Sequence, residues 1–232
     1  MSSSPTPAEQ AFIEAIKEGI AFLNSQIGLY ADACAGFSEN SRVIKLQKAR
    51  VQTAARSKEA RAKAAAGLGM VYVSHSDPSQ PDVIHHNIVR VKDFLIRNEK
   101  SGSNEQLICQ AIISFIFAYW EEGLRYKLAK IAEIPKNEVA SDVFGDLRIL
   151  RHVILHDRSI LSPSEFSKLK ILKFFEAGEA LNFDSSKMKR IFEAVDKEFA
   201  RLLFERLGID TSQGPGDISQ IKSIAIQGFN RS

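Results

Sequence analysis

Apolar residues recur along this chain at helical spacing, in blocks closed off by polar breaks and capping signals. Thr6-Pro7-Ala8-Glu9 reads as a capping box with proline at the first helical position, and Phe12, Ile16, Ile20 and Leu23 follow on one face. The pattern predicts a helix from about Pro7 into the twenties or low thirties, broken by Gly36 to Ser41. Ser41 to Ala66 is rich in Ala, Lys, Arg and Gln but has no sustained apolar stripe after Val51, which predicts a long exposed helix. From Gly67 to Pro81 the character changes to a loop, with room for a short strand at Met70-Val71-Tyr72-Val73.

The second half is more strongly periodic. Val83, Ile84, Ile88, Val91, Leu95 and Ile96 predict an amphipathic helix over Asp82 to Arg97. Ser103-Asn104-Glu105-Gln106 reads as a second capping box. It opens the most apolar helix, Glu105 to about Ile134, which Pro135 helps to end and which is expected to be the central packing helix. A further helix is expected from about Asn137 to His156. Ser162-Pro163-Ser164-Glu165 is a third box, followed by Phe166, Leu169, Leu172 and Phe175 on one side. Gly178 to Asp184 is rich in turn formers, and the last strong helix is Ser186 to Leu207 with Gly208 as its stop. No repeated strand-helix-strand rhythm is present, so the expected class is all-α. The expected organisation is an N-terminal helical extension over 1–81, a helical up-down bundle over 82–208 and a tail over 209–232.

Composition refines this picture in three ways. Lys and Arg number 31 against 28 Asp and Glu, and the sequence pI is near 8.8, so an RNA or DNA partner is permitted without being required. The local distribution says more: Arg42 to Lys63 carries eight basic residues against the single acid Glu59. Such a segment either tracks a phosphate backbone or forms a solvated helix that pairs with a partner. The two cysteines, Cys34 and Cys109, sit in apolar helical contexts without ligand or framework spacing and read as reduced core thiols of a cytoplasmic protein. The apolar run Leu107 to Trp120 stops at Glu121 and Glu122, which suits a buried helix and no membrane span.

The chemistry concentrates in Gly145 to Arg158. Phe144, Leu147, Ile149, Leu150, Val153 and Ile154 take one side of a helix there, while Arg148, Arg151, His152 and His156 fall within an arc of roughly 140° on the other. Arg148, His152 and His156 follow each other at i, i+4 and i+8, with Arg151 beside them. An imidazole supplies a proton acceptor and donor near neutral pH, and a guanidinium supplies a planar fork for phosphate oxygens. An Arg followed by a His five to seven residues on occurs about once by chance in a chain of this composition, and most such pairs are a solvated helix face. Glu121, at the end of the apolar run, either faces this stripe or begins a solvated half with Glu122 and Arg125. His75, Asp77, His85 and His86 lack metal-ligand spacing, and neither a metal nor a cofactor is expected.

An apolar helix ending in Tyr119-Trp120-Glu121, a helix carrying Arg151, His152 and His156, a capped helix, the Gly178-Glu179 turn and a closing helix together resemble the HEPN superfamily. The likeness is greatest to bacterial HEPN-like nucleases of defence and toxin systems, and it covers about Ile84 to Leu207. The resemblance implies a small helical bundle that dimerises and a metal-independent endoribonuclease. It also implies a motif of Arg, a polar residue, variable residues and His, mapped onto Arg151, His152 and His156. The polar position is most often Asn in the family and is His152 here. It further implies RNA as substrate, a homodimer, Arg148 and Glu121 as substrate contacts, and an antitoxin or other regulatory protein as restraint. The alternative it leaves open is a non-catalytic module that binds RNA, a nucleotide or a protein through the same surface.

Overall fold

The computed structural model describes residues 5–54, 57–67, 69–75 and 84–209. Its described elements are mostly helical, as the apolar periodicity implies. Two compact units are formed, one from Met1–Leu29 with Cys109–Ser232 and the other from Tyr30–Ile108.

The first helix, α1, spans Pro7–Ala54 and opens on the expected box. The Glu9 carboxylate accepts the Thr6 N–H at 2.6 Å, and the Glu9 N–H donates to the Thr6 hydroxyl at 3.3 Å. It does not break at Gly36–Ser41. Both Gly28 and Gly36 continue the helix, because a single glycine costs only about 1 kcal/mol against alanine, and the many strong helix formers around Gly36 outweigh that. The basic segment is likewise two helices: the end of α1, then α2 over Lys58–Gly67.

The N-terminal stretch of α1 is no extension, since it is part of the first unit's core. Phe12, Ala15, Ile16 and Leu23 are buried, and Phe22 stacks on Tyr119 at 4.0 Å between ring centroids. Gly19 lets the helices approach closely: a Cβ there would lie 2.8 Å from a Leu124 methyl and 3.2 Å from the Phe199 ring, so both side chains would have to shift. Glu18 and Lys127 pair at 2.6 Å on the rim of the same packing.

Within the second unit a two-stranded antiparallel hairpin, β1 (Gly69–His75) and β2 (Ile84–Arg90), pairs Gly69 with Arg90 through His75 with Ile84. The helix expected over Asp82 to Arg97 is therefore a strand up to Arg90, and only Val91–Arg97 forms helix α3. A run with apolar residues at 83, 84, 88 and 91 fits both periods, and pairing with β1 selects the extended one. Asp77 lies outside the described residues, as does the chain from 210 onward. In this unit the Tyr30 hydroxyl donates to Glu105 at 2.7 Å, and burial together with that carboxylate pushes the phenol pKa upward. The Cys34 thiol beside it is also raised, chiefly by burial.

Helix α4 covers Ser103–Tyr119. Its capping differs from the expected box: Ser103 is already helical, and Glu105 accepts the N–H of Ser101 at 2.6 Å. A π-helical turn, Trp120–Leu124, joins it without a break to α5, Arg125–Ala132. The stretch Ser103–Ala132 is long and apolar enough, by length and composition alone, to cross a membrane. Cys109, Ile112, Ile113, Ile116, Phe117 and Trp120 are buried within the unit, while Phe115 stands exposed.

The π turn packs Trp120 flat against Phe144 at 4.0 Å between centroids, and Phe144 leans on Phe199 at 5.8 Å. These contacts seat α6, Asp142–His156, between α4 and α8, Ser185–Leu207. Residues Lys136–Glu138 form a 3-10 turn instead of the first turn of α6, which starts after the Ser141 N-cap. The capped helix α7, Pro163–Lys168, is also shorter than the apolar spacing suggests. Leu169, Leu172 and Phe175 are buried in the irregular segment after α7, and Phe183 and Leu181 complete that side of the core. Helix α8 ends at Gly208, whose φ of 64° closes the helix in the left-handed region.

Candidate active site along helix α6

Helix α6 owes its position to the residues on its inner side. Val143, Phe144, Leu147, Leu150 and Val153 are buried, and Asp146 is buried among them at 2% exposure. The Asp146 carboxylate accepts the backbone N–H groups of Lys170 (2.9 and 3.1 Å), Ile171 (2.7 Å) and Leu172 (2.8 Å). A buried carboxylate is tolerable because these donors replace its water. The consequence is positional: the irregular segment after α7 is tied to α6, so Lys168 and Lys170 flank the exposed face. Asp146 is a residue that the sequence reading missed. The available signal was an acid lying inside the apolar arc of 143, 147, 150 and 153.

The outer face borders two adjoining open grooves of about 590 and 540 Å³. The first is lined by Asp142, Asp146, Arg148, His152, Glu165, Lys168 and Lys170, among others; the second by His152, His156, Asp157, Arg158, Ser162 and Glu165 among its residues. His152 and Glu165 belong to both, so they form the sill between them. The two imidazoles lie 4.9 Å apart between ring centroids and are tilted by 41°. The His152 Nε2 is 3.5 Å from an Asp157 carboxylate oxygen. Neither the Arg148 nor the Arg158 guanidinium makes a hydrogen bond or an ion pair with a described residue.

Beyond His156 the chain turns sharply. Arg158 and Ser159 both adopt positive φ, 54° and 63°, held by Ser159 N–H donating to Val153 and Ile160 N–H donating to Asp157. Two successive left-handed non-glycine residues cost free energy, and such strain gathers where the fold must aim a side chain. Here the turn sets Asp157 and Arg158 against the start of α7. The Ser162 box fixes Glu165 in turn: one carboxylate oxygen accepts the Ser162 hydroxyl at 2.6 Å and its N–H at 3.1 Å. Those hydrogen bonds hold the Glu165 carboxyl below its ordinary pKa.

Arg148, His152 and His156 are thus brought together as the helical stripe predicts. Arg151 is not. Its guanidinium stands 5.7 Å from the Phe117 ring on the flank of α6 and lines neither groove, which is what its offset of about 60° from Arg148 and 100° from His152 produces once α4 packs beside it. Glu121 is likewise elsewhere. The π turn directs it to Arg125 at 2.9 Å and Lys136 at 2.7 Å, and it clamps the loop that leads into α6. Burial raises its pKa, but hydrogen bonds from Lys136 and Arg125 outweigh burial and leave the carboxyl below its ordinary value. Glu121 therefore does not face the stripe, and on the half of the helix that it begins with Glu122 and Arg125 it is held by ion pairs. The metal candidates His75, His85 and His86 fall on β1 and β2, away from α6 in the chain and in the other unit.

No protein-family model matches the chain, and neither curated proteins nor solved structures provide a match.

Proposed function

We propose that the grooves along α6 bind RNA and that the protein is a metal-independent endoribonuclease of HEPN type. The observation that carries this reading is the pair of exposed imidazoles, His152 and His156, 4.9 Å apart and bordered by the guanidiniums of Arg148 and Arg158, which have no partner among the described residues. RNA contains its own nucleophile. In the step proposed, the 2′-oxygen forms a bond to phosphorus and the bond from phosphorus to the 5′-oxygen breaks, leaving a 2′,3′-cyclic phosphate. One imidazole takes the proton of the 2′-hydroxyl and the other protonates the departing 5′-oxygen, with His156 assigned as the base. Arg148 holds the phosphate oxygens as charge builds on the phosphorane.

Arg151 enters differently from the motif's simplest form. In a single chain it stands off the grooves, so its contribution requires a second copy whose reactive helix faces the first. We therefore expect a homodimer, with Arg151 of each chain delivered from its flank to a shared cleft. A protein that must be restrained in its own cell would also have a regulatory or antitoxin partner, and a cytoplasmic setting follows from the substrate.

The test is incubation of a mixed RNA pool with purified protein in EDTA, wild type beside His156→Ala, with the product ends analysed. Cleavage by wild type alone with cyclic phosphate ends is the expected result. Loss of all cleavage on adding EDTA, or full activity in His156→Ala, would sink the mechanism.

A further inference from the structure

One cluster of ligating side chains on the sill between the grooves joins His152 to two carboxylates, Asp157 and Glu165, that the cleavage chemistry does not use. His152, Asp157 and Glu165 each present a donor atom, and these atoms all lie within 4.8 Å of one another. They come from three places fixed by different means: the last turns of α6, the residue that caps it, and the third position of α7. The His152 nitrogen and the Asp157 oxygen are 3.5 Å apart. That is close to the edge of a tetrahedron about a cation with bonds of about 2.1 Å, which is about 3.4 Å. The two remaining edges, from His152 and Asp157 to Glu165, are no longer than 4.8 Å, so closing them needs shifts of at most about 1.4 Å, within the rotamer freedom of the exposed His152 and Asp157.

The Glu165 geometry adds an argument independent of spacing. Its Oε2 takes both hydrogen bonds from Ser162, while its Oε1 accepts no hydrogen bond from any described residue. A carboxylate oriented through one oxygen, with the other left open toward an imidazole, is the arrangement that holds a ligand in place around a metal. One imidazole and two carboxylates give three protein ligands and leave the groove side for water. This donor set suits Zn²⁺ and similar borderline cations. Mg²⁺ and Ca²⁺ prefer more ligands, all of them oxygen.

We propose that His152, Asp157 and Glu165 form a binding site for a divalent cation of the Zn²⁺ type, whose occupancy closes the α6 grooves to RNA. The first half stands on this geometry alone. The second half rests on the ribonuclease reading, because a cation on the sill removes His152 from proton transfer and replaces an open passage with a coordinated water. The nuclease is then metal-independent and metal-inhibited.

The test starts from the full chain stripped with EDTA and exchanged into metal-free buffer. Titration with Co²⁺ is followed through the visible absorption that tetrahedral Co²⁺ gains. Wild type is expected to develop the band with one equivalent, to lose it when Zn²⁺ is added, and to keep it in excess Mg²⁺. Asp157→Ala and His152→Ala should each bind at least about tenfold more weakly, the lower end of what even an outer-shell change costs. A circular dichroism spectrum confirms that each variant remains helical. Absence of the band in wild type overturns the site, and so does an undiminished band in Asp157→Ala, which would place the metal elsewhere, for instance at His75, His85 or His86. For the second half, Zn²⁺ should slow RNA cleavage by wild type at least tenfold, while in Asp157→Ala the ratio of rates with and without Zn²⁺ stays within twofold. Equal inhibition of both proteins overturns it. A Co²⁺ band without any cleavage in EDTA means that the ribonuclease reading has failed and the cation site has not.

Discussion

The inner and outer faces of α6 differ in composition, apolar against Arg and His, yet an aspartate stands on each side and meets different physics. Asp146 and Asp157 make the contrast clear, since they are eleven residues apart on one helix and its cap. Asp146 is 2% exposed and is surrounded by backbone donors, whereas Asp157 is in open groove beside an imidazole. The first carboxylate is satisfied by fixed dipoles and determines where a loop lies; the second is exposed, 3.5 Å from the His152 imidazole. Burial therefore decides whether a charge serves the fold or remains available to chemistry. The same division separates Glu121, held by Arg125 and Lys136, from Arg148, which has no partner among the described residues.

This contrast yields predictions of decreasing size. Trp120→Ala removes the flat contact with Phe144 that seats α6 and should cost about 3–5 kcal/mol of stability, measured by urea unfolding. His156→Ala should slow RNA cleavage by about a hundredfold or more, roughly 2.7 kcal/mol in the barrier, while the unfolding midpoint stays where it is. A matched loss of stability there would show that the outer face is structural after all. Asp146→Asn should do the opposite. It keeps the shape but removes the charge from a site with several N–H donors, and should cost on the order of 2 kcal/mol of stability. Any fall in cleavage should then disappear at temperatures where the variant is fully folded.

The smallest effect concerns Ser162→Ala, which removes a helix cap and should cost about 1 kcal/mol. It also changes the acid limb of stability. Glu165 has a pKa below its ordinary value of 4.5 because Ser162 hydrogen-bonds its charged form, so its contribution is complete above about pH 4.5 and is lost as pH falls through the lower folded-state value. In Ser162→Ala that part of the acid dependence should flatten. An unchanged acid limb would mean that the box does not bind the charged carboxylate as described.

Much of this molecule was legible in advance because its elements are local. Capping boxes at Thr6 and Ser162, the C-terminal Gly208, and the one-sided apolar spacing of α6 and α8 all involve residues within a few positions of each other, and each is present in the fold. The all-α class and the stripe of Arg148, His152 and His156 follow from that local periodicity. Boundaries failed where a distant partner competed with local preference. Pairing with β1 turned 84–90 into a strand, and strong helix formers carried α1 through Gly36. The N-terminal segment, expected to stand apart, completes the core through Phe12, Ile16 and Phe22 because a helix hydrophobic on one side must cover that side with something.

The chain by itself determined which residues share a helix face, since that depends only on 3.6 residues per turn. Only the tertiary structure decided what each face meets. Packing of α4 beside α6 moved Arg151 onto Phe117, and the π turn at Trp120–Leu124 sent Glu121 to Lys136. The three donors of the sill, His152, Asp157 and Glu165, show the limit most plainly. Their spacing of five and eight residues matches no motif, because the strained turn at Arg158 and Ser159 and the cap at Ser162 bring them together, and neither is a property of spacing.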